Sequence, residues 1–189
     1  MRPLGVLGGT FDPVHNAHLA LAHAALVALE LERLLWIPTG APPYRKPPVA
    51  AARHRVAMLE AAIAGETRYA IDVRELAPGA SGYTVDTLGA LRDEFGPAQP
   101  FVLLMGADQY AKLETWHRWQ ELAQLCRIAV FARPGWPAGD GRAQGVPFEP
   151  LAISANDIRQ RIGRGEDVSA MLAPAVLEYI RRHHLYGHP

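Results

Sequence analysis

Short apolar runs alternate with longer helix-like segments from the start of the chain. Residues 4–7 form an apolar run that stops at two glycines, and 16–30 are rich in Ala and Leu at helical spacing. A second apolar run, 33–37, is ended by Pro38. This order of strand, turn, helix and strand predicts a βαβ unit with parallel strands and a right-handed crossover.

The alternation continues to the end of the sequence. It predicts helices over 51–64, 84–95, 119–125, 154–162 and 174–182, and strands over 69–73, 101–105, 128–131 and 148–151. On the helix over 51–64, Val56, Leu59 and Ile63 share one face, while 39–49 and 133–147 are loops rich in Gly and Pro. We expect an α/β fold with a doubly wound, Rossmann-like parallel sheet. One domain over 1–189 is expected, with a small helical portion from about residue 154.

Composition excludes several functional classes. Nineteen Lys and Arg balance nineteen Asp and Glu, so attraction to nucleic acid or an anionic membrane surface is not expected. A single cysteine, Cys126, excludes a disulfide framework within one chain, and its apolar neighbours favour a buried thiol. No apolar run reaches the roughly 18 residues of a membrane span, and no signal-peptide core follows Met1. A cytoplasmic protein is expected; a homo-oligomer stays open.

The turn after the first strand is the clearest chemical motif. It includes Gly8 and Gly9 and leads into a helix that starts near His15. Adjacent glycines admit a ligand close to the backbone, and a helix start offers free amides to an anion. The turn is neither a G-x-G-x-x-G fingerprint nor a Walker A loop. His15 and His18 would share a helix face and could donate to phosphate oxygens; a zinc pair lacking a third ligand, or a surface pair, are the alternatives.

One further segment could contact phosphates, and one more residue lies at the end of a buried strand. Ser154 is a plausible helix N-cap, and Arg159 lies more than one turn further along with a guanidinium fork suited to phosphate, although a capped helix with a surface arginine explains the same pattern. Asp108 follows the buried strand 101–105 and the turn residue Gly106. It is a candidate helix N-cap.

At this point the chain resembles a known family. Residues 9–15 followed by His18 resemble the H-x-G-H signature of nucleotidyltransferases, and within them the bacterial nicotinate mononucleotide adenylyltransferases. Further matching blocks cover nearly the whole chain, in the order Pro42-Pro43-Tyr44-Arg45, Met58-Leu59-Glu60, Tyr83-Thr84 with Thr87-Leu88, Gly106-Ala107-Asp108, Thr115-Trp116, Ile153-Ser154 with Ile158-Arg159, and Leu185-Tyr186. The order of these blocks makes the resemblance specific.

The resemblance implies a reaction that joins ATP to nicotinate mononucleotide, with Mg²⁺ held mainly by the ATP phosphates rather than by protein ligands. The 5'-phosphate oxygen of the substrate would attack the α-phosphorus in line, without a covalent enzyme intermediate. His15 and His18 would be catalytic. The implied ATP-binding residues are Gly8, Gly9, Thr10, Phe11, Gly106, Asp108, Ser154 and Arg159.

For the second substrate, the resemblance implies Arg45, Lys46, Tyr83, Thr84 and Trp116. Tyr83 and Trp116 would flank the pyridine ring, and backbone amides near Thr84 would receive its carboxylate, which favours nicotinate over nicotinamide. Arg45 or Lys46 would meet phosphates, unless their loop is simply solvated.

Three residues depart from the family pattern, and other functions stay open. Ala17 stands where the family usually has Gly, Tyr44 where many members have His, and Asn156 where Thr is usual. The alternatives are a related transferase with another acceptor, such as nicotinamide mononucleotide or phosphopantetheine, and a non-catalytic nucleotide-binding regulator. The absent glycine fingerprint counts against a dinucleotide-dependent oxidoreductase.

Overall fold

A parallel sheet organises the protein. The computed structural model describes residues 1–40, 46–132 and 143–187. These residues form a six-stranded sheet in the order β3-β2-β1-β4-β5-β6, and every neighbouring pair is parallel. The strands are β1 (Leu4–Gly9), β2 (Arg33–Pro38), β3 (Tyr69–Ile71), β4 (Phe101–Gly106), β5 (Arg127–Phe131) and β6 (Gln144–Val146). The predicted doubly wound α/β fold is confirmed.

Helices connect the strands and cover both faces of the sheet. They are α1 (Asn16–Ala28), α2 (Ala52–Ile63), α3 (Thr84–Phe95), α4 (Ala107–Tyr110), α5 (Leu122–Leu125), α6 (Ala155–Gly163) and α7 (Pro174–Arg182). Short 3₁₀ turns lie at Arg74–Leu76, Leu113–Thr115, Trp119–Glu121 and Leu185–Gly187. Pro174 opens α7 at its first turn, as predicted.

Two hydrophobic cores result from the alternation of side chains along the buried strands. On β2, Leu34 and Trp36 enter one cluster, while Leu35 and Ile37 enter the other. The first cluster also takes buried residues of α1, α2, α6 and α7. The second takes those of α3, α4 and α5. Strands buried on both faces read as continuous apolar runs, which is why β2 and β4 were visible in the sequence.

Several local predictions were wrong. The predicted strand over 148–151 is absent, and β6 lies a few residues earlier, inside the segment predicted as a loop. The edge pairing with β5 uses Gln144–Val146, whose first two residues are exposed. The predicted helix over 119–125 is a 3₁₀ turn followed by the short α5. The rest of the predicted loop, 133–142, lies outside the described residues.

The buried face of α2 also differs from the prediction. Arg55, Met58 and Leu59 are buried, whereas Val56 and Ile63 are only half-buried. The prediction placed only apolar residues on the buried face of the helix, so it left out the charged residue Arg55. The burial of Arg55 is explained by its hydrogen bond to the glycine turn, described below.

Candidate active site

The candidate site lies where the order of the strands reverses. β1 and β4 are neighbours in the middle of the sheet. From β1 the strand order continues through β2 toward one edge, and from β4 it continues through β5 toward the other edge. Their carboxyl ends bring the turn after Gly9 next to the turn at Gly106. In open α/β sheets this position is the usual binding crevice.

One cavity beside this edge, cavity A, has a volume of about 640 Å³. It contains eight of the residues proposed from the sequence, namely Thr10, Phe11, His15, His18, Lys46, Asp108, Ser154 and Arg159. The remaining lining residues are Asp12, Pro47, Pro48, Val49, Ile153, Ala155 and Asn156. The fold therefore brings together both segments that were predicted to contact phosphates.

A second cavity, cavity B, has a volume of about 270 Å³ and is lined by the ends of β1 and β4 and by the start of α3. Gly8, Gly9, Thr84, Gly106 and Trp116, all proposed from the sequence, line it. Thr10 and His18 line both cavities. Those two residues thus form a shared wall between the two cavities.

The two histidines stack on each other at this wall. Their ring centroids are 3.7 Å apart with an interplanar angle of 24°, and His18 also packs edge-on against Phe11 at 5.1 Å. His15 is buried, at 3% exposure, while His18 is half-buried. The sequence predicted His15 on the same helix face as His18. In the structure, His15 instead precedes the helix as the N-cap residue of α1, with an extended backbone. Its backbone N–H donates to His18 Nδ1 at 3.3 Å.

Packing inside the protein explains the glycine at position 9 but not the glycine at position 8. A β-carbon at Gly9 would lie 2.8 Å from the Phe11 ring, so Gly9 is required by packing inside the protein. A β-carbon at Gly8 would meet nothing within 4 Å, and Gly8 is exposed toward cavity B. Phe11 itself has a φ of 48°, an uncommon conformation for a residue other than glycine, and the following Asp12-Pro13 peptide bond is cis.

The start of α1 offers fewer free amides than the sequence suggested. The backbone N–H of Asn16 donates to the Met171 carbonyl at 2.9 Å, and the Asn16 side chain donates to the Ala170 carbonyl at 3.0 Å. This end of the helix is therefore tied to the segment before α7. The expectation of free amide hydrogens there is corrected for Asn16.

The second helix start behaves as predicted. Ser154 caps α6, since its Oγ accepts a hydrogen bond from the Asp157 N–H at 3.1 Å. The Arg159 guanidinium donates to the Asp12 carbonyl at 2.7 Å through Nη1 and to Asn156 Oδ1 at 3.4 Å through Nη2. Arg159 is thus held against the turn after β1 while it lines cavity A, where positive charge favours an anion.

The remaining proposed residues have mixed outcomes. Tyr83 stacks on His117, with ring centroids 4.2 Å apart, and is absent from the described lining of both cavities. Asp108 is the second residue of α4 and not its N-cap, a position that Gly106 occupies. Arg45 and Tyr44 lie outside the described residues. The substrate roles of these residues stay predictions.

Two features are absent from residues 1–40, 46–132 and 143–187. There, no group of three or more His, Cys, Asp or Glu side chains could hold a metal ion. No helix in the same part of the chain is long and apolar enough to cross a membrane. The carboxylates that line cavity A are Asp12 and Asp108.

Sequence reasoning assigned no role to several residues near the cavities. Asp12 and Arg55 are the main ones, because both are buried and charged. Asp12 was visible inside the glycine turn, but its partners are distant in sequence. Arg55 could have been found as a charged residue at helical spacing from Met58 and Leu59. Glu75 and Gln109 line cavity B without any motif to mark them.

Comparisons with known proteins show the family of this chain. A family model described as cytidylyltransferase-like matches residues 6–161. Together with the fold, this match defines the class of the protein: it is a nucleotidyltransferase of this family.

Relatives narrow the class. A protein of Laribacter hongkongensis named probable nicotinate-nucleotide adenylyltransferase is 43% identical, covering 97% of this chain and 94% of its own length. One of the same name from Bordetella petrii is 44% identical, covering 98% and 100%. The chain belongs to the nicotinate-nucleotide adenylyltransferase family, and the resemblance found in the sequence is confirmed.

Solved structures support the fold independently. Plasmodium falciparum nicotinic acid mononucleotide adenylyltransferase complexed with NaAD superposes with a TM-score of 0.82 at 17% identity, over 100% of this chain and 99% of that one. The same enzyme complexed with APC gives a TM-score of 0.81 at 16% identity, with the same coverage. At this level of identity the likeness establishes the fold.

Proposed function

We propose that this nucleotidyltransferase joins ATP and nicotinate mononucleotide to give nicotinate adenine dinucleotide and pyrophosphate. One observation carries the proposal. Cavities A and B meet at Thr10 and His18. Most of the residues implied for ATP line cavity A, and Thr84 and Trp116, implied for the acceptor, line cavity B. The division is not complete, because Lys46 lines cavity A and the three glycines implied for ATP line cavity B. ATP phosphates in cavity A and the acceptor in cavity B would meet at this wall. Family membership supports the same assignment.

Catalysis in this site would depend on positioning and charge stabilisation. The reaction forms a bond from the acceptor phosphate oxygen to the α-phosphorus and breaks the bond to pyrophosphate, so no protein nucleophile is needed. His18 Nδ1 accepts the His15 N–H, so a neutral His18 ring carries its hydrogen on Nε2. That hydrogen would donate to a phosphate oxygen as negative charge moves to the leaving pyrophosphate. Lys46 and Arg159 add positive charge in cavity A.

Recognition of the acceptor would fall to cavity B. Thr84 begins α3 and lines this cavity together with Trp116, a half-buried aromatic residue. The indole offers a stacking surface for a pyridine ring. Backbone N–H groups at the start of α3 would favour a carboxylate over a carboxamide, which brings its own N–H donors.

Magnesium would enter with ATP and neutralise charge on the phosphates. The described lining fits this role, because it offers the carboxylates of Asp12 and Asp108. Magnesium commonly takes one or two carboxylates plus substrate phosphates. Both carboxylates line cavity A, where the metal–nucleotide complex would bind. We also propose a cytoplasmic location, where both substrates would be available.

Pyrophosphate release tests the proposal. The purified protein is incubated with Mg-ATP and, separately, nicotinate mononucleotide, nicotinamide mononucleotide and phosphopantetheine. We expect release with nicotinate mononucleotide, with a matching dinucleotide product, and at least tenfold less with the carboxamide. Release with phosphopantetheine but not with nicotinate mononucleotide would contradict the assignment. Nucleotide binding without release for any acceptor would favour the regulator.

A further inference from the structure

Asp12, in the turn after β1, is a buried carboxylate with several donors. Its side chain is 3% exposed. Oδ2 accepts the Val49 N–H at 2.6 Å, and Oδ1 accepts the Ala50 N–H at 3.1 Å and the Tyr186 hydroxyl at 2.7 Å. A carboxylate removed from water is stable only with such partners. Asp12 therefore connects the glycine turn, the segment before α2 and the C-terminal 3₁₀ turn.

Two arginines hold the main chain of the same turn. Arg55 Nη1 donates to the Thr10 carbonyl and Arg159 Nη1 donates to the Asp12 carbonyl, both at 2.7 Å. Arg55 is 2% exposed and Arg159 is half-buried. The buried negative charge of Asp12 thus lies among positive charges, and the backbone from Thr10 to Asp12 is held by side chains from α2 and α6.

Tyr186 reaches Asp12 from the C-terminal turn, which packs on α6. Tyr186 has a φ of 61°, and its carbonyl would lie 3.7 Å from a β-carbon at Gly163, the last residue of α6. Burial, together with the hydrogen bond to Asp12 and the Asp12 charge, raises the pKa of the Tyr186 hydroxyl. The hydroxyl therefore stays protonated and remains a donor. Tyr186 is not among the lining residues of cavity A or cavity B.

We propose that Tyr186 is a positioning residue of the active site: by holding Asp12 it fixes the turn at Thr10 and the segment at Val49 and Ala50 against each other, and so shapes the phosphate-binding wall of cavity A. The proposal deepens the proposed function and rests on it for its kinetic consequence. Thr10, Asp12 and Val49 all line cavity A. A shift of either segment would move groups that face the nucleotide phosphates, although Tyr186 itself touches no substrate.

Tyr186→Phe tests the proposal, because it removes the hydroxyl and keeps the packed ring. Tyr179→Phe is the matched control, since the Tyr179 hydroxyl lies 3.0 Å from His54 Nδ1 at the contact between α2 and α7, away from both cavities. Both variants lose one hydroxyl hydrogen bond of a partly buried tyrosine. A purely structural role predicts that both lower the melting temperature and leave the kinetic constants alone.

We expect Tyr186→Phe to raise KM for ATP about tenfold and to change KM for the acceptor less than threefold, while Tyr179→Phe changes neither by more than twofold. Amide hydrogen exchange gives a readout independent of turnover. Exchange at Val49 and Ala50 should accelerate about tenfold in Tyr186→Phe and stay unchanged in Tyr179→Phe. Unchanged exchange at these two amides would overturn the proposal, as would unchanged kinetics. Absence of turnover in the unaltered protein would overturn the proposed function instead, and the exchange data would still decide the role of Tyr186.

Discussion

His18→Ala is the substitution that most sharply separates catalysis from stability. His18 is half-buried, lines both cavities, and accepts the His15 N–H at 3.3 Å through Nδ1. Alanine keeps the helix and removes the ring, the acceptor and the donor at Nε2. His23→Ala is the matched control, because His23 is exposed on the same helix and lines neither cavity.

The expected loss of catalysis is far larger than the expected loss of stability. Removing one preorganised donor to developing charge costs about 10²–10³ in kcat. The lost cap bond and ring contacts with His15 and Phe11 total about 1–2 kcal/mol, because His18 is half-buried. A domain with roughly 5–15 kcal/mol of stability stays almost entirely folded after such a loss. The melting temperature should fall by roughly 2–8 °C.

Pyrophosphate release under saturating Mg-ATP and nicotinate mononucleotide measures kcat, and a thermal melt measures stability. For His23→Ala both should match the unaltered protein. A His18→Ala variant that is folded and retains kcat within about fivefold would refute the reasoning, because the shared wall would then contribute no donor to the transition state.

Three further predictions concern the glycine turn, Cys126 and Trp116. Gly9→Ala would place a methyl group 2.8 Å from the Phe11 ring, so the free energy of unfolding measured in urea should fall by about 1–3 kcal/mol. Gly8→Ala should lower it by under about 0.5 kcal/mol and instead raise KM for the acceptor, since Gly8 lines cavity B. Equal losses of stability in the two variants would contradict this distinction. Burial raises the pKa of Cys126 to about 11, so iodoacetamide at pH 8 should label the native thiol at least tenfold more slowly than the unfolded one. Trp116→Ala should raise KM for nicotinate mononucleotide about tenfold and leave that for ATP within twofold; the reverse would place the acceptor outside cavity B.

Local patterns in the sequence predicted most of the fold. Doubly buried strands such as Phe101–Gly106 and the helix Thr84–Phe95 produce long apolar runs or clear periodicity, and both were placed within a residue. The strand Gln144–Val146 was missed because an edge strand needs only backbone pairing, and two of its three residues are exposed. Sequence patterns report burial, so elements with little burial leave little signal.

Candidate site residues were recognisable in the sequence where they lie in one contiguous motif. The glycine turn, the histidine pair and the Ser154 cap each lie within a few residues, and the fold brings the segments predicted to contact phosphates to one cavity. Asp12 was not recognised, because its partner Tyr186 is 174 residues away in the chain. Gly9 was assigned to ligand approach, yet its position is explained by the ring of Phe11. Such long-range contacts and internal close packing have no signature in one sequence.

Local charge explains how a chain of zero net charge could bind two phosphorylated anions. Lys46 and Arg159 share the lining of cavity A with the first turn of α6, the rings of His15 and His18, and two carboxylates. Of those carboxylates, Asp12 is neutralised locally by its amide, hydroxyl and arginine neighbours. Neutrality of the whole chain therefore leaves room for a small site with positive potential.

The most direct test of the account is an experimental structure of the protein with a non-hydrolysable ATP analogue, Mg²⁺ and nicotinate mononucleotide together. We predict that the triphosphate occupies cavity A and the pyridine ring lies in cavity B beside Trp116, with the α-phosphorus near the wall formed by Thr10 and His18. A triphosphate bound away from Arg159 and Ser154, or an acceptor phosphate far from His18, would contradict the central claim that the two cavities form one reaction site.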